Sequence, residues 1–250
     1  MENQPYLSVI VPARNEEKRI SKTLLAMDQY LQKQDFDYEI IIFSNGSTDK
    51  TGEIVTNFQR TIKNLKLVER EKSLGKGWAV REAILTVARG QIRLFMDADN
   101  ATTLDHFDRM RHYFDSGAQV VIGSRESRDA KGARQAVSQP WHKRQLGNLG
   151  NLLIQLFAVW GVWDTQCGFK AFSAKAAQDI FSHCRINGWG FDIEVLALAR
   201  RLGYKIEIIP VYWINDASSQ VNFKAYLSTF RELFRIWWRL VTDAYKIRKK

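Results

Sequence analysis

Five short apolar runs punctuate the first half of the chain: LSVIV (7–11), YEIIIF (38–43), LKLVE (65–69), QIRLFM (91–96) and AQVVIG (118–123). Runs this short, with little polar alternation, read as strands buried on both faces. Helical patterns fill the gaps, over about 16–32, 48–62 and 77–88 and again from about 104. Strands alternating with helices define the α/β class, with a mostly parallel central sheet flanked by helices. Right-handed crossovers then gather the loops that follow the strands at one sheet edge, where ligands bind in open α/β sheets.

The second half has a different texture. Residues 124–143 are polar and read as a loop, 144–163 as an apolar helix and 190–202 as a second helix. KIEIIPVYWI (205–214) reads as a strand, with Pro210 marking a break or an edge. A last helix is expected from about 222 to 245. A length of 250 residues suits one α/β domain, taken as 1–222, with 223–250 as an amphipathic, basic C-terminal helix.

Charge is concentrated at that end. Residues 223–250 carry eight basic side chains against Glu232 and Asp243, which is +6 of the net +10. Such a tail favours a polyanionic partner, a membrane surface or a nucleic acid. Phe223, Tyr226, Leu227, Phe230, Leu233, Phe234, Trp237, Leu240 and Val241 recur at helical spacing, with Lys224, Arg231, Arg235 and Arg239 opposite or flanking. That pattern fits a helix lying in a membrane interface and equally one packed on the domain. LGNLGNLLIQLFAVWGVW (146–163) is a second segment suited to dipping into a bilayer surface. No run reaches the roughly 20 apolar residues of a spanning helix, and no signal peptide is evident. The expected place is the cytoplasm, peripheral on a membrane. Cys167 and Cys184 do not make a disulfide framework.

The chemistry centres on Met96-Asp97-Ala98-Asp99-Asn100, directly after the fourth strand. Two carboxylates at i and i+2 can hold one hard divalent cation, Mg²⁺ or Mn²⁺, which would neutralise a leaving nucleoside diphosphate. Their alternative is a pair of solvated acids at a turn. VPARNEE (11–17) puts Pro12 at the end of a strand and acids at the opening of a helix. SNGSTDKT (44–51) offers a turn and capping residues, or a nucleobase and ribose pocket. Gly75-Lys76-Gly77 begins a helix where backbone amides and Lys76 can approach an anion, although the GxxxxGK[ST] spacing is absent.

In order, VPARNEE, NGSTDKT, GKGWAVREAI, MDADNAT, VIGSR (121–125), DTQCGFKAF (164–172) and WGFDIEVLALA (189–199) resemble the dolichyl-phosphate glucosyltransferases. These are family 2 glycosyltransferases in the clan of the dolichyl-phosphate mannose synthases. The likeness runs from about Ser8 to Asn222, and DTQCGFKAF and W-GFDIE are its most specific parts.

The resemblance implies a GT-A nucleotide-diphospho-sugar transferase fold. It puts Pro12, Ala13, Asn15 and Glu16 in the nucleotide pocket, with Asn45, Asp49 and Lys76 nearby. Asp97 would face ribose or sugar, and Asp99, with Asp97, the metal. Arg125, Arg144 and Lys170 would hold the acceptor phosphate. Asp164 and Gln166 would lie beside the sugar, with Trp189, Asp192 and Glu194 close by. Where the family often has Asp-Asp-Gly-Ser, this chain has Ser44-Asn45-Gly46-Ser47, so an acid that contacts the base is an amide here. Ala101 replaces a glutamine of the mannose synthases, which favours the glucosyl-type relatives.

The implied reaction is inverting transfer of a hexose, glucose from UDP-glucose, to a polyprenyl or dolichyl phosphate. A phosphate monoester is largely a dianion at neutral pH, so the acceptor needs positioning more than a base. GDP-mannose as donor, or a non-lipid acceptor, are the rival transferase readings. A basic nucleic-acid-binding protein is the non-enzyme rival, although no helix-turn-helix, RNA-recognition or zinc pattern is present. Oligomeric state is not set by the sequence.

Overall fold

The structure, a computed structural model, describes residues 4–135, 150–214 and 223–247. Its central sheet has seven strands: β1 (Leu7–Ala13), β2 (Tyr38–Asn45), β3 (Leu65–Arg70), β4 (Ile92–Met96), β5 (Val120–Ser124), β7 (Phe169–Ser173) and β8 (Ile206–Pro210). They lie in the order β3-β2-β1-β4-β7-β5-β8, and a separate ladder joins β6 (Arg134–Gln135) to β9 (Tyr212–Trp213). The helices are α1 (Ile20–Leu31), α2 (Thr51–Phe58), α3 (Lys76–Glu82), α4 (Phe107–Asp115), α5 (150–157), α6 (Ala174–Phe181), α7 (Phe191–Arg201) and α8 (Phe223–Val241). A π turn over Ala83–Val87 extends α3, and a 3-10 turn at Leu104–His106 leads into α4.

All five expected strands are present, and the sheet is parallel except at β7, which runs antiparallel to both β4 and β5. The sequence reading missed β7 because a lysine, Lys170, interrupts its apolar run; in the fold that lysine is fully buried. Pro12 does not end β1 as expected, but stays in register opposite Phe43. The ladder from β1 to β4 stops at Ile10, so the missing proline N–H falls beyond the point where that neighbour could use it.

Alternate residues of each strand serve two cores. Val9 and Val11 join Leu24, Phe107 and Met110 on the face covered by α1, α2 and α4. Ile10 joins Ala79, Ile180, Leu196 and Ile236 on the face covered by α3, α6, α7 and α8. α8 is thus seated on the domain through Leu233 and Ile236, and the chain after it buries Tyr245 and Ile247 in the same core. Phe230, Phe234 and Trp238 stay more than half exposed on the other side of α8. The last helix is therefore packed on the domain along one face and leaves an apolar aromatic face uncovered on the other. The part of the apolar 144–163 segment that is described contributes α5, whose Phe157 meets Trp237 of α8 at 5.8 Å between ring centroids.

Candidate active site

The loops after β1, β2, β3 and β4 converge at one sheet edge. Because β7 is antiparallel, the turn that precedes it (165–168) arrives at this edge too. Asp97, the first residue past β4, donates its N–H to the Gly168 carbonyl at 3.1 Å. Its Oδ1 accepts from Lys76 Nζ at 2.5 Å. That ammonium lies 5.3 Å from the Trp189 ring centroid and 5.8 Å from that of Phe191. Burial works against the charge on Lys76, but Asp97 and then Asp192 outweigh it, and its pKa is raised.

Asp99 accepts the Ala101 N–H at 3.0 Å through Oδ1. Burial, then the charge of Asp97, pushes its carboxyl above the usual range. Asn100, the next residue, takes a left-handed φ of 55°, and its Oδ1 is buried without a hydrogen-bond partner. Thr23 of α1 ties the same loop down, donating to the Ala98 carbonyl at 2.6 Å. An unpartnered oxygen acceptor beside the destabilised Asp99 carboxylate suits a hard divalent cation. Among the described residues no cluster of three or more His, Cys, Asp or Glu side chains could hold a metal. The two aspartates therefore fit an ion that completes its coordination with phosphate oxygens and water, as Mg²⁺ does.

The first two loops are stitched to each other. Asn15 N donates to Ser47 Oγ at 3.2 Å, and Thr48 N to Asn15 Oδ1 at 2.8 Å. Glu16 N reaches Thr51 Oγ1 at 2.8 Å and Glu17 N reaches Asp49 Oδ2 at 3.0 Å. The acids of VPARNEE therefore do not open α1, which begins only at Ile20. Asp49, placed by the resemblance near the nucleotide, is engaged as a clamp. Asn45 is buried; its amide donates to the Gly75 carbonyl at 2.9 Å and accepts from Leu74 N, fixing the second loop to the third. Ala13 is buried, Pro12 half-buried and Asn15 exposed. Glu16 holds Arg19 at 2.8 Å; burial raises its carboxyl despite that partner, and Asp99 and Asp97 add to the rise. Of the nucleotide-pocket candidates, Glu16 and Lys76 are the ones coupled electrostatically to Asp97 and Asp99.

Arg125 and Asp164 form one unit. Arg125 Nε and Nη2 donate to Asp164 Oδ2 and Oδ1 at 2.8 and 2.7 Å, and Arg125 N adds a third bond at 2.8 Å. Burial opposes the Asp164 carboxylate, yet the guanidinium overcomes it and holds the carboxyl below the usual range. The resemblance puts Asp164 beside the sugar; in the fold both its oxygens are engaged by Arg125. The ring of Trp213 lies 5.3 Å from the guanidinium carbon.

Lys170 differs more from expectation. It has no exposed surface, and its Nζ donates to Asp192 Oδ1 at 2.5 Å and the Cys167 carbonyl at 2.6 Å, so it faces the interior rather than an acceptor phosphate. Asp192 is buried in the same pair, which leaves it no exposed edge for a sugar. Glu194 points elsewhere, accepting from Arg185 N, Ile186 N and the Tyr245 hydroxyl, and fastens the end of the chain to α7. Gln166 and Trp189 are exposed at the edge. Arg144 lies outside the described residues.

Two residues with no motif around them also shape the site. Asp129 accepts from Ser124 Oγ, Trp163 N and Asp164 N at 2.7–2.8 Å, holding the 163–164 turn against the end of β5. Glu232 of α8 accepts from Gly190 N at 2.7 Å beside Trp189. Neither the polar 124–143 stretch nor the basic helix marked these acids out.

A mostly parallel α/β sheet with its loops and an Asp-x-Asp turn gathered at one edge is the fold of the GT-A glycosyltransferases. The glycosyl transferase family 2 model matches residues 8–181, and the chain belongs to that family. A dolichyl-phosphate beta-glucosyltransferase of Trichomonas vaginalis is 36% identical over 98% of this chain and 77% of its own length. Proteins of the same name from Drosophila melanogaster and Homo sapiens are 34% and 30% identical, over 99% and 96% of this chain and 79% and 78% of theirs. Among solved structures, glucosyl-3-phosphoglycerate synthase from Mycobacterium tuberculosis, in complex with Mn²⁺, UDP and glucosyl-3-phosphoglycerate, superposes with a TM-score of 0.66. It is 20% identical over 98% of this chain and 82% of that one. Mannosyl-3-phosphoglycerate synthase from Rubrobacter xylanophilus reaches 0.69 at 13% identity, over 98% and 77%.

Proposed function

We propose that this chain transfers glucose from UDP-glucose to the phosphate of a dolichyl or related polyprenyl lipid, with inversion at the anomeric carbon. The observation that carries the reading is likeness along nearly the whole chain, at 36% identity, to a protein named for that reaction. The departure of Ala101 from the mannose-synthase glutamine points the same way.

The geometry supplies a division of labour. Asp97 and Asp99 would hold Mg²⁺ or Mn²⁺, which supplies charge neutralisation at the diphosphate. Lys76, kept protonated beside Asp97, adds a fixed positive charge at the same edge. Trp189 offers an exposed aromatic face for a sugar. Arg125, clamped by Asp164 through Nε and Nη2, keeps Nη1 for an acceptor phosphate, joined in this reading by Arg144. Asp164 then orients the guanidinium, and Lys170 with Asp192 braces β7 from within. The acceptor oxygen is already anionic near neutral pH, so no base is assigned.

The acceptor's lipid requires contact with a bilayer. No helix among the described residues is long and apolar enough to cross one. The exposed Phe230, Phe234 and Trp238 of α8, flanked by Arg231 and Arg235, suit the interface of an anionic membrane. Leu152, Leu156 and Trp160, at 55%, 68% and 75% exposure, extend that apolar surface from the α5 side. In this reading the protein works peripherally on the cytoplasmic face.

An organic-extraction assay tests the proposal. Protein, Mn²⁺ and a short polyprenyl phosphate are incubated separately with labelled UDP-glucose, GDP-mannose and UDP-N-acetylglucosamine. Label in the organic phase from UDP-glucose, lost in Asp99→Ala, is the expected result. Label from GDP-mannose alone overturns the donor, and donor turnover with no organic label overturns the lipid acceptor.

A further inference from the structure

We propose that Glu232 is a positioning residue for the donor site. Through its carboxylate, the seat of α8 fixes the 187–190 loop that holds Trp189 against Lys76, the partner of Asp97.

Glu232 belongs to the C-terminal helix, remote in sequence from every motif, yet it faces inward between the outward-facing Phe230 and Phe234. Its Oε2 accepts from Gly190 N at 2.7 Å, and Gly188 lies directly against the same carboxylate. The fit depends on two missing side chains. A Cβ on Gly188 would fall 2.2 Å from Glu232 Oε1, and one on Gly190 would fall 2.8 Å from Glu232 Cβ. The Gly-Trp-Gly sequence thus lets the backbone on both sides of Trp189 rest on one carboxylate.

The other side of this loop touches the donor edge. Asn187 O accepts from Trp78 N of α3 at 3.3 Å, and a Cβ on Gly75 would fall 2.2 Å from that same oxygen. Four consecutive residues, 187–190, are therefore held between the Gly75-Lys76-Gly77 turn and α8. Gly190 also precedes the first turn of α7, where a carboxylate is favourable to the unpaired N–H groups. The path is short and continuous: Glu232, the Gly190 amide, the Trp189 ring, then Lys76 Nζ at 5.3 Å and Asp97 Oδ1 at 2.5 Å from it. Glu232 touches neither Lys76 nor Asp97 in this chain of contacts, so its part is to place Trp189.

This inference rests on reading the edge as a nucleoside-diphosphate site, and its test separates the two. The full chain is compared with Glu232→Ala, Glu232→Gln and Gly190→Ala. Acrylamide quenching of Trp189, taken as the difference between each variant and its Trp189→Phe counterpart, reads the loop with no nucleotide present. UDP affinity with Mn²⁺ and the KM values for donor and acceptor read the site. We expect Glu232→Ala to increase quenching of Trp189 and to raise the UDP Kd and donor KM roughly ten- to hundredfold, with acceptor KM little changed. Glu232→Gln should stay near the parent, because its amide oxygen can accept the same N–H. If Glu232→Ala fails to fold, Gly190→Ala, which keeps the carboxylate but displaces it, carries the same expectation. Unchanged quenching of Trp189 in a folded variant overturns the inference. A parent chain that binds no UDP overturns the nucleotide reading, and with it the donor-site role of Glu232, while increased quenching in Glu232→Ala would still show that the carboxylate holds the 187–190 loop.

Discussion

Gly168 lies against Asp97 so closely that a Cβ at position 168 would fall 2.1 Å from Asp97 Oδ2. The same residue accepts the Asp97 N–H at 3.1 Å, so the turn before β7 sets both the backbone and the side chain of the first aspartate of the Asp-x-Asp turn. Gly168→Ala is therefore expected to displace the Asp97 carboxylate. Misplacement on the scale of 1 Å costs on the order of a hundredfold in rate. Transfer measured at saturating donor and Mn²⁺ should fall by about that factor while the far-ultraviolet circular dichroism stays native. Full activity in Gly168→Ala would show that Asp97 does not need its present position.

Lys170 and Asp192 form an ion pair with 0% and 4% side-chain exposure. Burial, first among its causes, raises the Asp192 carboxyl, and Lys170 and Lys76 only partly draw it back. Removing one partner leaves an uncompensated buried charge, at a cost of about 3–5 kcal/mol. Lys170→Met should lower the melting temperature by roughly 10 °C for a protein of this size. Lys170→Met with Asp192→Leu should recover most of that loss, because a well-packed apolar pair can replace a buried ion pair. Thermal melts of the two variants decide the matter; equal melting temperatures would mean the pair is not coupled.

The parallel strands were legible because each is a short apolar run between helical patterns, and the Asp-x-Asp turn because it ends one of them. β7 was illegible for a physical reason: Lys170 is polar in the sequence and becomes buried only by meeting Asp192 from α7, 22 residues away. The roles of Asn45 and Asp49 were left open for the opposite reason. Their residue types suit both ligand binding and loop capping, and only the contacts to Gly75 O and Glu17 N tell which is used. Asp164 stands in a recognisable motif, but its partner, Arg125, stands 39 residues away, and no periodicity links the two. Long-range polar pairing has no local signature, and at this site it sets most of the side-chain roles.

The clamp between Arg125 and Asp164 also carries a pH signature. The folded state holds the Asp164 carboxyl below its ordinary value of 3.8, so it contributes stability that is present above 3.8 and lost as pH falls through the lower folded value. Asp164→Asn should therefore cost about 3 kcal/mol near neutral pH, or roughly 6–12 °C in melting temperature. The gap from the parent should narrow below pH 3.8. Freed from its clamp, Arg125 should also grip a phosphate less well, which raises the KM for polyprenyl phosphate more than that for donor. A melting-temperature gap that is constant from pH 7 to pH 3 would refute the electrostatic part of this account.

Phe234 and Trp238 are 59% and 56% exposed on α8, on the side away from Leu233 and Ile236. Groups that touch little in the folded protein should matter little to its stability, so Phe234→Ser and Trp238→Ser are expected to shift it by no more than about 0.5 kcal/mol. Their effect should appear on a bilayer instead. Burying one large apolar side chain is favourable by about 1.5–3 kcal/mol, so each change should weaken co-sedimentation with phosphatidylcholine–phosphatidylserine vesicles by about tenfold or more. The flanking Arg231 and Arg235 make that binding electrostatic as well, so it should weaken with salt and on vesicles of phosphatidylcholine alone. UDP affinity should remain at the parent value in both serine variants, because neither side chain touches the 187–190 loop that Glu232 supports. Vesicle binding unaffected by both substitutions would move the lipid contact away from the Phe234 and Trp238 face of α8 and make the α5 side, with Leu152, Leu156 and Trp160, the next surface to test.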